Sequence, residues 1–345
     1  MNVGIVGCGE ISDKHLAAWS RLDETKIVAV CDEVEEKAAV AARRWKVRSY
    51  YTDFETLLRK EKLRFLSVCT PPLTHTNIVC TALDSGVNVI CEKPLAMSTK
   101  EVDCMKEKIN CGSAKLGMIC NQLYNPAVVR AQRIFESLQQ RPKHIDVQVH
   151  KPPVDKYSET RLWLHGLPGG AFSEFLIHEL YLVRHFLGEL DVRSVDVRKQ
   201  GEDEWMKYDE LQVSLGRAER CAWIRASLNS LRHHFILDLY GEKNVVRADL
   251  SAQDVFLLRD DERRYVRKGL DAMKQASVAV GNVTGLLGSA VSYNLGRIHT
   301  SHDTNIRFFV DSVLHRRPPP LSMEDIRALV NTQEQITGFI DSHAS

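Results

Sequence analysis

The stretch Asn2-Val3-Gly4-Ile5-Val6-Gly7-Cys8-Gly9-Glu10-Ile11-Ser12 joins a short apolar run, a turn with two glycines and the start of an amphipathic segment. This order predicts a strand, a tight turn and a helix. Gly7 permits the turn, and Gly9 lets backbone amides approach a pyrophosphate at the positive end of the helix. Ser12 stands where the pattern has a third glycine. The stretch predicts a dinucleotide-binding turn, although such turns also occur in other doubly wound folds.

An acidic residue follows at the spacing that this interpretation requires. Asp32 ends the next apolar run, 20 residues after Ser12, where a carboxylate accepts hydrogen bonds from an adenosine ribose. Glu33, Glu35 and Glu36 come next and disfavour a ribose 2′-phosphate. We therefore expect NAD in preference to NADP. Alternatively, the glutamates only complement the N-terminus of the following helix, and both interpretations can hold for Glu35 and Glu36. The predicted cofactor contacts in this region are Gly7, Cys8, Gly9, Glu10, Ile11, Ser12 and Asp32.

The first 122 residues alternate apolar runs with amphipathic ones. The predicted strands are Asn2–Gly7, Lys26–Cys31, Leu63–Cys69, Val87–Cys91 and Lys115–Cys120. The predicted helices are Ser12–Arg21, Glu33–Trp45, Asp53–Lys60, Thr74–Ser85 and Thr99–Ile109. Continuously apolar strands are typical of a parallel sheet covered on both faces. Residues 1–122 are thus predicted to form a doubly wound α/β domain of the Rossmann type that binds NAD.

Residues 123–345 follow a different pattern, which predicts an α+β domain with a large, open and mostly antiparallel sheet. The predicted strands are Lys143–His150, Val192–Lys199, Glu210–Leu215, Cys221–Leu228, Phe235–Tyr240, Val245–Asp249 and Val255–Arg259. The predicted helices are Pro126–Leu138, Ala171–Leu187, Asp303–Leu314 and Met323–Ile340. The uncharged, glycine-containing stretch 275–296 is long enough to span a membrane, but its polar residues favour a loop, a contact surface or a wall of the substrate site.

The composition excludes several classes of protein. At about 150 residues per domain, 345 residues predict two domains, and 44% apolar with 26% charged residues is typical of a folded chain. A net charge of +1 gives no field that would attract nucleic acid or an anionic membrane, so we expect a small-molecule partner. No signal sequence is recognisable and the nine cysteines lack zinc spacing, which predicts a cytosolic protein without disulfides or a structural metal.

The run Val87–Cys91 is followed directly by Glu92-Lys93-Pro94. These three residues are predicted at the carboxyl edge of the parallel sheet, where ligands of such folds bind. Held there by Glu92 and the proline, Lys93 can donate to a substrate hydroxyl and stabilise a developing alkoxide. A lysine at a strand end is otherwise simply solvated. Thr70-Pro71 and His75 follow the preceding strand and are predicted to line the same edge. The further predicted cofactor contacts at this edge are Thr70, Pro71, His75, Glu92 and Lys93.

The predicted helix Ala171–Leu187 is apolar nearly all round and must be largely buried. A single polar stripe of Glu174, His178, Tyr181 and His185 runs along it. Because a buried carboxylate or imidazole is unfavourable unless paired, we expect Glu174 to orient His178 and raise its basicity. A lone core histidine is usually structural, whereas the Glu–His pairing favours catalysis.

These motifs together resemble the glucose–fructose oxidoreductase / inositol dehydrogenase family, abbreviated Gfo/Idh/MocA. The resemblance rests on the glycine turn, Asp32, Thr70-Pro71-Pro72-Leu73-Thr74-His75, Glu92-Lys93-Pro94, Tyr124-Asn125-Pro126 and Gly169-Gly170-x3-Glu174-x3-His178. It implies an N-terminal Rossmann domain and a C-terminal domain whose open sheet binds substrate and builds a dimer or tetramer. It also implies that Lys93 and His178 are the family's lysine and histidine, with Glu174 at the position of its aspartate.

Three residues depart from the family pattern. Leu176 stands where glycine is common, Tyr181 where aspartate is frequent, and Leu123 where a basic residue often precedes the Tyr-Asn-Pro motif. The resemblance implies catalytic residues Lys93, Glu174 and His178, and substrate contacts from these three together with Tyr124, Asn125 and Tyr181. The departures indicate an altered specificity.

The resemblance implies hydride transfer between a secondary hydroxyl of a sugar, polyol or nucleotide sugar and NAD. His178 takes the hydroxyl proton, Lys93 stabilises the alkoxide, and Glu174 supports His178. Two alternatives stay open: a regulator that binds the dinucleotide without turnover, and an enzyme that recycles bound NAD during hydrolysis or elimination.

Overall fold

The structure is a computed structural model that describes residues 1–152, 163–164, 166–203, 206–259, 300–315, 317–319 and 321–343. The chain divides into two compact units. The first unit comprises 1–121, 161–181 and 300–345, and the second comprises 122–160 and 182–299. The first boundary lies one residue from the predicted division at 122. The units differ from two consecutive domains because 161–181 and 300–345 return to the first unit.

The first unit contains a six-stranded parallel sheet in the order β3-β2-β1-β4-β5-β6. Its strands are β1 Asn2–Val6, β2 Lys26–Cys31, β3 Ser49–Tyr51, β4 Phe65–Val68, β5 Asn88–Cys91 and β6 Leu116–Met118. Strands β4 and β5 are buried throughout, as expected for a sheet covered on both faces. This confirms the predicted doubly wound sheet of the Rossmann type.

The second unit contains a seven-stranded sheet in the order β13-β12-β11-β7-β10-β9-β8. Its strands are β7 His144–His150, β8 Asp191–Arg198, β9 Glu210–Arg217, β10 Arg220–Ser227, β11 His234–Tyr240, β12 Asn244–Asp249 and β13 Asp254–Arg259. Among the strands that the structure describes in this sheet, only β7 and β10 form a parallel pair. The predicted mostly antiparallel sheet is therefore confirmed, and the hairpin after β11 closes through the Gly241 N–H to the Asn244 carbonyl.

The helices of the described residues are α1 Ser12–Ser20, α2 Glu35–Trp45, α3 Phe54–Lys60, α4 His75–Asp84, α5 Thr99–Cys111, α6 Pro126–Ser137, α7 Phe172–Leu187, α8 Ser301–Leu314 and α9 Met323–Ser342. Helix α7 ends where Gly188 takes a φ of +72°, a conformation that favours glycine. The interior of α7 is buried as its composition predicts.

One strand of the parallel sheet escaped prediction. Strand β3 has three residues, Ser49–Tyr51, and pairs with β2 at the edge of the sheet. It carries no apolar run, because an edge strand this short is only partly covered. The predicted count of five strands was therefore wrong, and Glu92 follows the fifth strand of the chain rather than the fourth.

The C-terminal helices complete the core of the first unit. Phe309 of α8 lies against β6, where a Cβ added to Gly117 would come within 2.7 Å of the Phe309 ring. The Phe309 and Phe65 rings meet edge to face with centroids 6.1 Å apart. Helix α9 is tied to α5 by the Arg327 guanidinium, which donates to both carboxylate oxygens of Asp103. The first unit thus needs chain from both ends of the sequence.

The stretch 275–296 lies outside the described residues, so its predicted role is not tested. Among the helices that the structure does describe, none combines the length and the apolar character needed to cross a membrane.

Candidate functional site

The turn after β1 has a geometry that only glycine can satisfy at its first position. Gly7 has a φ of +90°, and a Cβ there would lie 2.6 Å from the Cys69 carbonyl carbon and 2.8 Å from the Thr70 nitrogen. The backbone of the β1 turn therefore presses directly on the segment that follows β4. Glycine is therefore required at position 7 by the backbone conformation and packing of the protein.

Gly9 differs, because no atom of the described residues, its two chain neighbours apart, lies within 4 Å of the position that its Cβ would take. The open space lies on the exposed side of the turn, next to the start of α1. The Ser12 hydroxyl donates to the Gly9 carbonyl at 2.6 Å, and no side chain caps the first turn of α1 at Ile11. The backbone N–H groups at this helix start are placed to receive an anion such as a pyrophosphate. These residues fit a dinucleotide.

Asp32 follows β2 and reaches across to the glycine turn. Its Oδ2 accepts the Cys8 backbone N–H at 2.8 Å, and its Oδ1 accepts the Val34 N–H at 3.0 Å. Burial, reinforced by the Asp32 carboxylate, raises the pKa of the Cys8 thiol to about 12. Cys8 therefore stays a thiol, and it contributes to the turn through its backbone N–H.

Glu92 performs a different task from the one predicted. Its carboxylate is buried, accepts the His15 Nε2–H at 2.8 Å and lies 3.6 Å from His302 Nε2. Burial alone raises the pKa of Glu92, but the hydrogen bond from His15 and the nearby His302 ring hold it well below the usual range. Glu92 touches Lys93 through the backbone, since Oε2 accepts the Lys93 N–H at 3.2 Å. It anchors the turn and does not hold the ammonium group.

His75 joins the two loops at this edge of the sheet. Its ring is fully buried, with Nδ1 2.9 Å from the Pro94 carbonyl oxygen and Nε2 2.9 Å from the Thr70 carbonyl oxygen. Burial lowers the pKa of His75, although the hydrogen bonds to Thr70 and Pro94 oppose that effect. Both ring nitrogens therefore face the protein, and a contribution of His75 to cofactor binding would act through the loops that it joins.

Lys93 and Glu174 meet in the first unit, 81 residues apart in the sequence. Lys93 Nζ donates to the Glu174 Oε1 at 2.8 Å and to the Glu174 main-chain oxygen at 2.8 Å. The Lys93 side chain is 11% exposed and that of Glu174 is 27% exposed. This pairing differs from the predicted one, in which Glu92 holds Lys93 and Glu174 orients His178.

His178 lies one turn further along α7, on the same face as Glu174. Its Nδ1 is 2.8 Å from the Tyr181 hydroxyl oxygen, which in turn is 3.4 Å from Asn121 Oδ1. Tyr181 is fully buried. The structure thus brings Lys93, Glu174, His178 and Tyr181 together in one unit, with Tyr181 supporting the histidine.

Two predicted substrate contacts belong to the second unit. Asn125 caps α6 by accepting the Ala127 N–H at 3.0 Å, and its amide donates to the Leu250 carbonyl at 3.2 Å. It is buried, so these contacts assign its side chain to the architecture of the second unit. The half-buried Tyr124 ends the short 3₁₀ turn Asn121–Tyr124.

The structure reveals polar residues that sequence reasoning missed. His15 lies 77 residues from Glu92, and His302 lies in the helix that the sequence placed in the other domain. Asn121 carried no motif of its own. The one available signal was the position of His15 on the buried face of α1 beside Leu16 and Trp19. In the part of the chain that the structure describes, no group of His, Cys, Asp or Glu side chains has the geometry of a metal site.

The strand order 3-2-1-4-5-6, the two glycines of the β1 turn and the acid that follows β2 define a dinucleotide-binding domain of the Rossmann type. Residues 1–118 match the oxidoreductase family with an NAD-binding Rossmann fold. Within these residues the chain is similar to the Gfo/Idh/MocA oxidoreductases. The resemblance based on the motifs is confirmed.

Two relatives illustrate how far the similarity extends. D-apiose dehydrogenase from Paraburkholderia graminis is 31% identical over 124 residues, 36% of this chain and 33% of that protein. Myo-inositol 2-dehydrogenase from Thermotoga maritima is 23% identical over 337 residues, 94% of this chain and 92% of that protein. The chain therefore spans about a third of the first relative's length and nearly all of the second's.

The fold is shared with solved structures over the whole chain. The WlbA dehydrogenase from Bordetella pertussis, solved in complex with NADH and UDP-GlcNAcA, aligns with a TM-score of 0.77 at 16% identity. The alignment covers 98% of this chain and 96% of that one. The likeness shows that this chain has the same fold as the WlbA dehydrogenase.

The two glycines of the turn allow a paired test. Gly9→Ala places a methyl group in the open space beside the turn, so we expect the Kd for NAD to rise about tenfold or more with an unchanged urea midpoint. Gly7→Ala clashes with the backbone after β4, and its φ alone destabilises the fold by about 1–3 kcal/mol. Calorimetric titration and urea denaturation measure both effects. Wild-type NAD affinity in Gly9→Ala would contradict the assignment of the turn.

Burial of His75 predicts a pH dependence of stability. Because its pKa is lowered in the folded state, the unfolded chain takes up a proton first as the pH falls below about 6.5. The stability that the neutral His75 contributes is present above that pH and is lost below it. In His75→Gln we expect the urea midpoint to fall less between about pH 7 and pH 5 than in the wild type. The exposed His315, replaced by Gln, is the control and should keep the wild-type slope.

Proposed function

We propose that the protein is an NAD-dependent dehydrogenase that oxidises a secondary hydroxyl of a sugar, polyol or nucleotide sugar, or reduces the matching ketone. Two kinds of observation support the proposal: the cofactor turn fits a dinucleotide, and relatives of the chain are named D-apiose dehydrogenase and myo-inositol 2-dehydrogenase. The solved structure with NADH and UDP-GlcNAcA belongs to a protein of the same fold.

The observation that carries the proposal is the contact between Lys93 and Glu174. Lys93 follows β5 at the carboxyl edge of the cofactor-binding sheet, and Glu174 lies one turn from His178 on α7. The two hydrogen bonds from Lys93 Nζ therefore bring a cation and an imidazole to the same edge. A proton acceptor beside a cationic donor is the pair of groups that alcohol oxidation requires.

The residues have distinct tasks in this reaction. Bound NAD would supply the hydride acceptor. His178 accepts the proton of the substrate hydroxyl. An ammonium group has three N–H bonds, so Lys93 keeps a donor for the same substrate oxygen after its two contacts with Glu174. That donor stabilises the alkoxide as the proton leaves. Glu174 positions Lys93.

The same residues predict which cofactor is bound. The main chain at Gly7–Ser12 would hold the pyrophosphate, and Asp32 would accept hydrogen bonds from the adenosine ribose. Asp32 already accepts the Cys8 N–H, and each carboxylate oxygen has a second lone pair for such a bond. Glu33, Glu35 and Glu36 are exposed and disfavour a 2′-phosphate, which supports NAD over NADP. The cytosolic location and the dimeric or tetrameric state remain predictions from the sequence.

The proposal is tested first by titrating cofactor-stripped protein with NAD and NADP in a calorimeter. The same sample is then incubated with NAD and a panel of sugars, polyols and nucleotide sugars while NADH absorbance is followed. We expect NAD to bind at least about tenfold more tightly than NADP, and one member of the panel to be turned over. Binding without turnover would favour a regulator or an enzyme that recycles NAD, and no binding would contradict the proposal.

Lys93→Met tests the alkoxide-stabilising role. Methionine keeps the length of the side chain but removes the cation, so we expect kcat on the active panel member to fall about 100-fold or more. The Kd for NAD should change much less, because Lys93 acts on the substrate oxygen. Lys100→Met removes an exposed lysine at the start of α5 and is the matched control. Retained turnover in Lys93→Met would show that this lysine is not catalytic.

A further inference from the structure

Two polar contacts of Tyr181 share its single phenolic hydrogen. The Tyr181 hydroxyl oxygen lies 2.8 Å from His178 Nδ1 and 3.4 Å from Asn121 Oδ1. The two rings meet nearly at right angles, 81°, with centroids 5.6 Å apart. Tyr181 is fully buried, so packing restricts the position of its hydroxyl. The direction of each hydrogen bond then decides which nitrogen of His178 carries a proton.

The chemistry of Asn121 decides that direction. Its Oδ1 is a carbonyl oxygen and can only accept a hydrogen bond, so the Tyr181 hydroxyl donates to it. A hydroxyl has a single hydrogen, and once this is used its oxygen faces His178 as an acceptor. His178 Nδ1 must then carry the proton and donate it to Tyr181. A neutral imidazole with a proton on Nδ1 has its lone pair on Nε2.

We propose that Tyr181, directed by Asn121, is a positioning residue that holds neutral His178 in its Nδ1–H form, so that Nε2 accepts the substrate proton. The tautomer stands on the geometry of the three side chains, and only its use in catalysis rests on the proposed function. It gives Tyr181 a task other than the predicted contact with substrate.

The segment that carries Asn121 is itself anchored. The preceding residue, Cys120, donates its backbone N–H to Asn305 Oδ1 at 3.2 Å, and Asn305 Nδ2 lies 3.5 Å from Cys120 Sγ. Asn305 is buried in α8. The chain around Asn121 is thereby tied to a C-terminal helix of the same unit. This attachment gives Asn121 a defined position from which to accept the hydrogen bond.

The contact between Tyr181 and His178 affects where the proton taken from the substrate goes. When His178 takes the substrate proton on Nε2, the O–H bond of the substrate breaks, a new N–H bond forms and the ring becomes an imidazolium. The neutral phenol accepts the Nδ1–H but is a poor base, so the added proton stays on His178. The proton must then leave through Nε2, on the side from which it came. A carboxylate at position 181 would stabilise the imidazolium more strongly.

The tautomer is measured directly in full-length protein labelled with ¹⁵N-histidine. Two-bond ¹H–¹⁵N correlation spectra, recorded about two units above the usual histidine pKa, distinguish a protonated nitrogen from an unprotonated one. The signals of His178 are identified by their loss in His178→Gln. In the wild type we expect Nδ1 to be protonated and Nε2 to be unprotonated. In Tyr181→Phe, which keeps the ring but removes the hydroxyl, we expect a shift towards the Nε2–H form.

Two variants of Asn121 make the test independent of the phenylalanine variant. Asn121→Asp keeps an acceptor and can only accept, so it should retain the Nδ1–H form. Asn121→Leu removes the acceptor while Tyr181 stays, and it should shift the balance of the two forms. A wild-type spectrum with the proton on Nε2 would overturn the proposal, because it would mean that the Tyr181 hydroxyl donates to His178. An unchanged tautomer in both Tyr181→Phe and Asn121→Leu would overturn it as well.

The kinetic readout separates positioning from substrate binding. With an active member of the panel, Tyr181→Phe should lower kcat at an unchanged KM, whereas loss of a substrate contact would raise KM. The spectra require neither substrate nor cofactor. A panel without turnover, or a protein that binds no NAD, would therefore contradict the proposed function and leave the tautomer result standing.

Discussion

The hydrogen bonds from Lys93 Nζ to Glu174 are the interaction on which the candidate site depends. They join a turn at the edge of the parallel sheet to a helix 81 residues away, and both groups are largely withdrawn from water. A charged group in such surroundings is stable only when paired. The pair therefore holds the ammonium group in place next to the helix α7, on which His178 lies one turn beyond Glu174.

Beneath this pair lies a second polar cluster that holds the backbone of the turn. The Trp19 indole donates to Ser67 Oγ at 2.7 Å, Ser67 Oγ lies 3.1 Å from His15 Nδ1, and His15 Nε2 lies 2.8 Å from Glu92. Trp19, Ser67, His15 and Glu92 each contact another member of this cluster, so the Glu92 carboxylate can stay ionised inside the first unit. Through the Lys93 N–H, the cluster determines where the lysine leaves the sheet.

The contacts of the Glu92 and Glu174 carboxylates and of the Tyr181 phenol differ from those expected from the sequence. Glu174 was expected to serve His178, and Glu92 to serve Lys93; in the structure Glu174 positions Lys93 and Tyr181 contacts His178. Glu92 acts on backbone and histidines. Glu174 contacts the lysine and the Tyr181 phenol lies beside the imidazole, so each of these two residues contacts one of the candidate catalytic side chains.

The sequence by itself determined the two sheets, the glycine turn and the acid that follows β2. These follow from periodicity and from spacing within one strand–turn–helix segment, which are local properties of the chain. It missed β3, whose three residues carry no apolar period. Only the tertiary structure decided that Lys93 meets Glu174, that His15 and His302 meet Glu92, and that Asn121 directs Tyr181. Periodicity shows which face of an element is buried, but the partner on that face is chosen by the packing of elements distant in sequence.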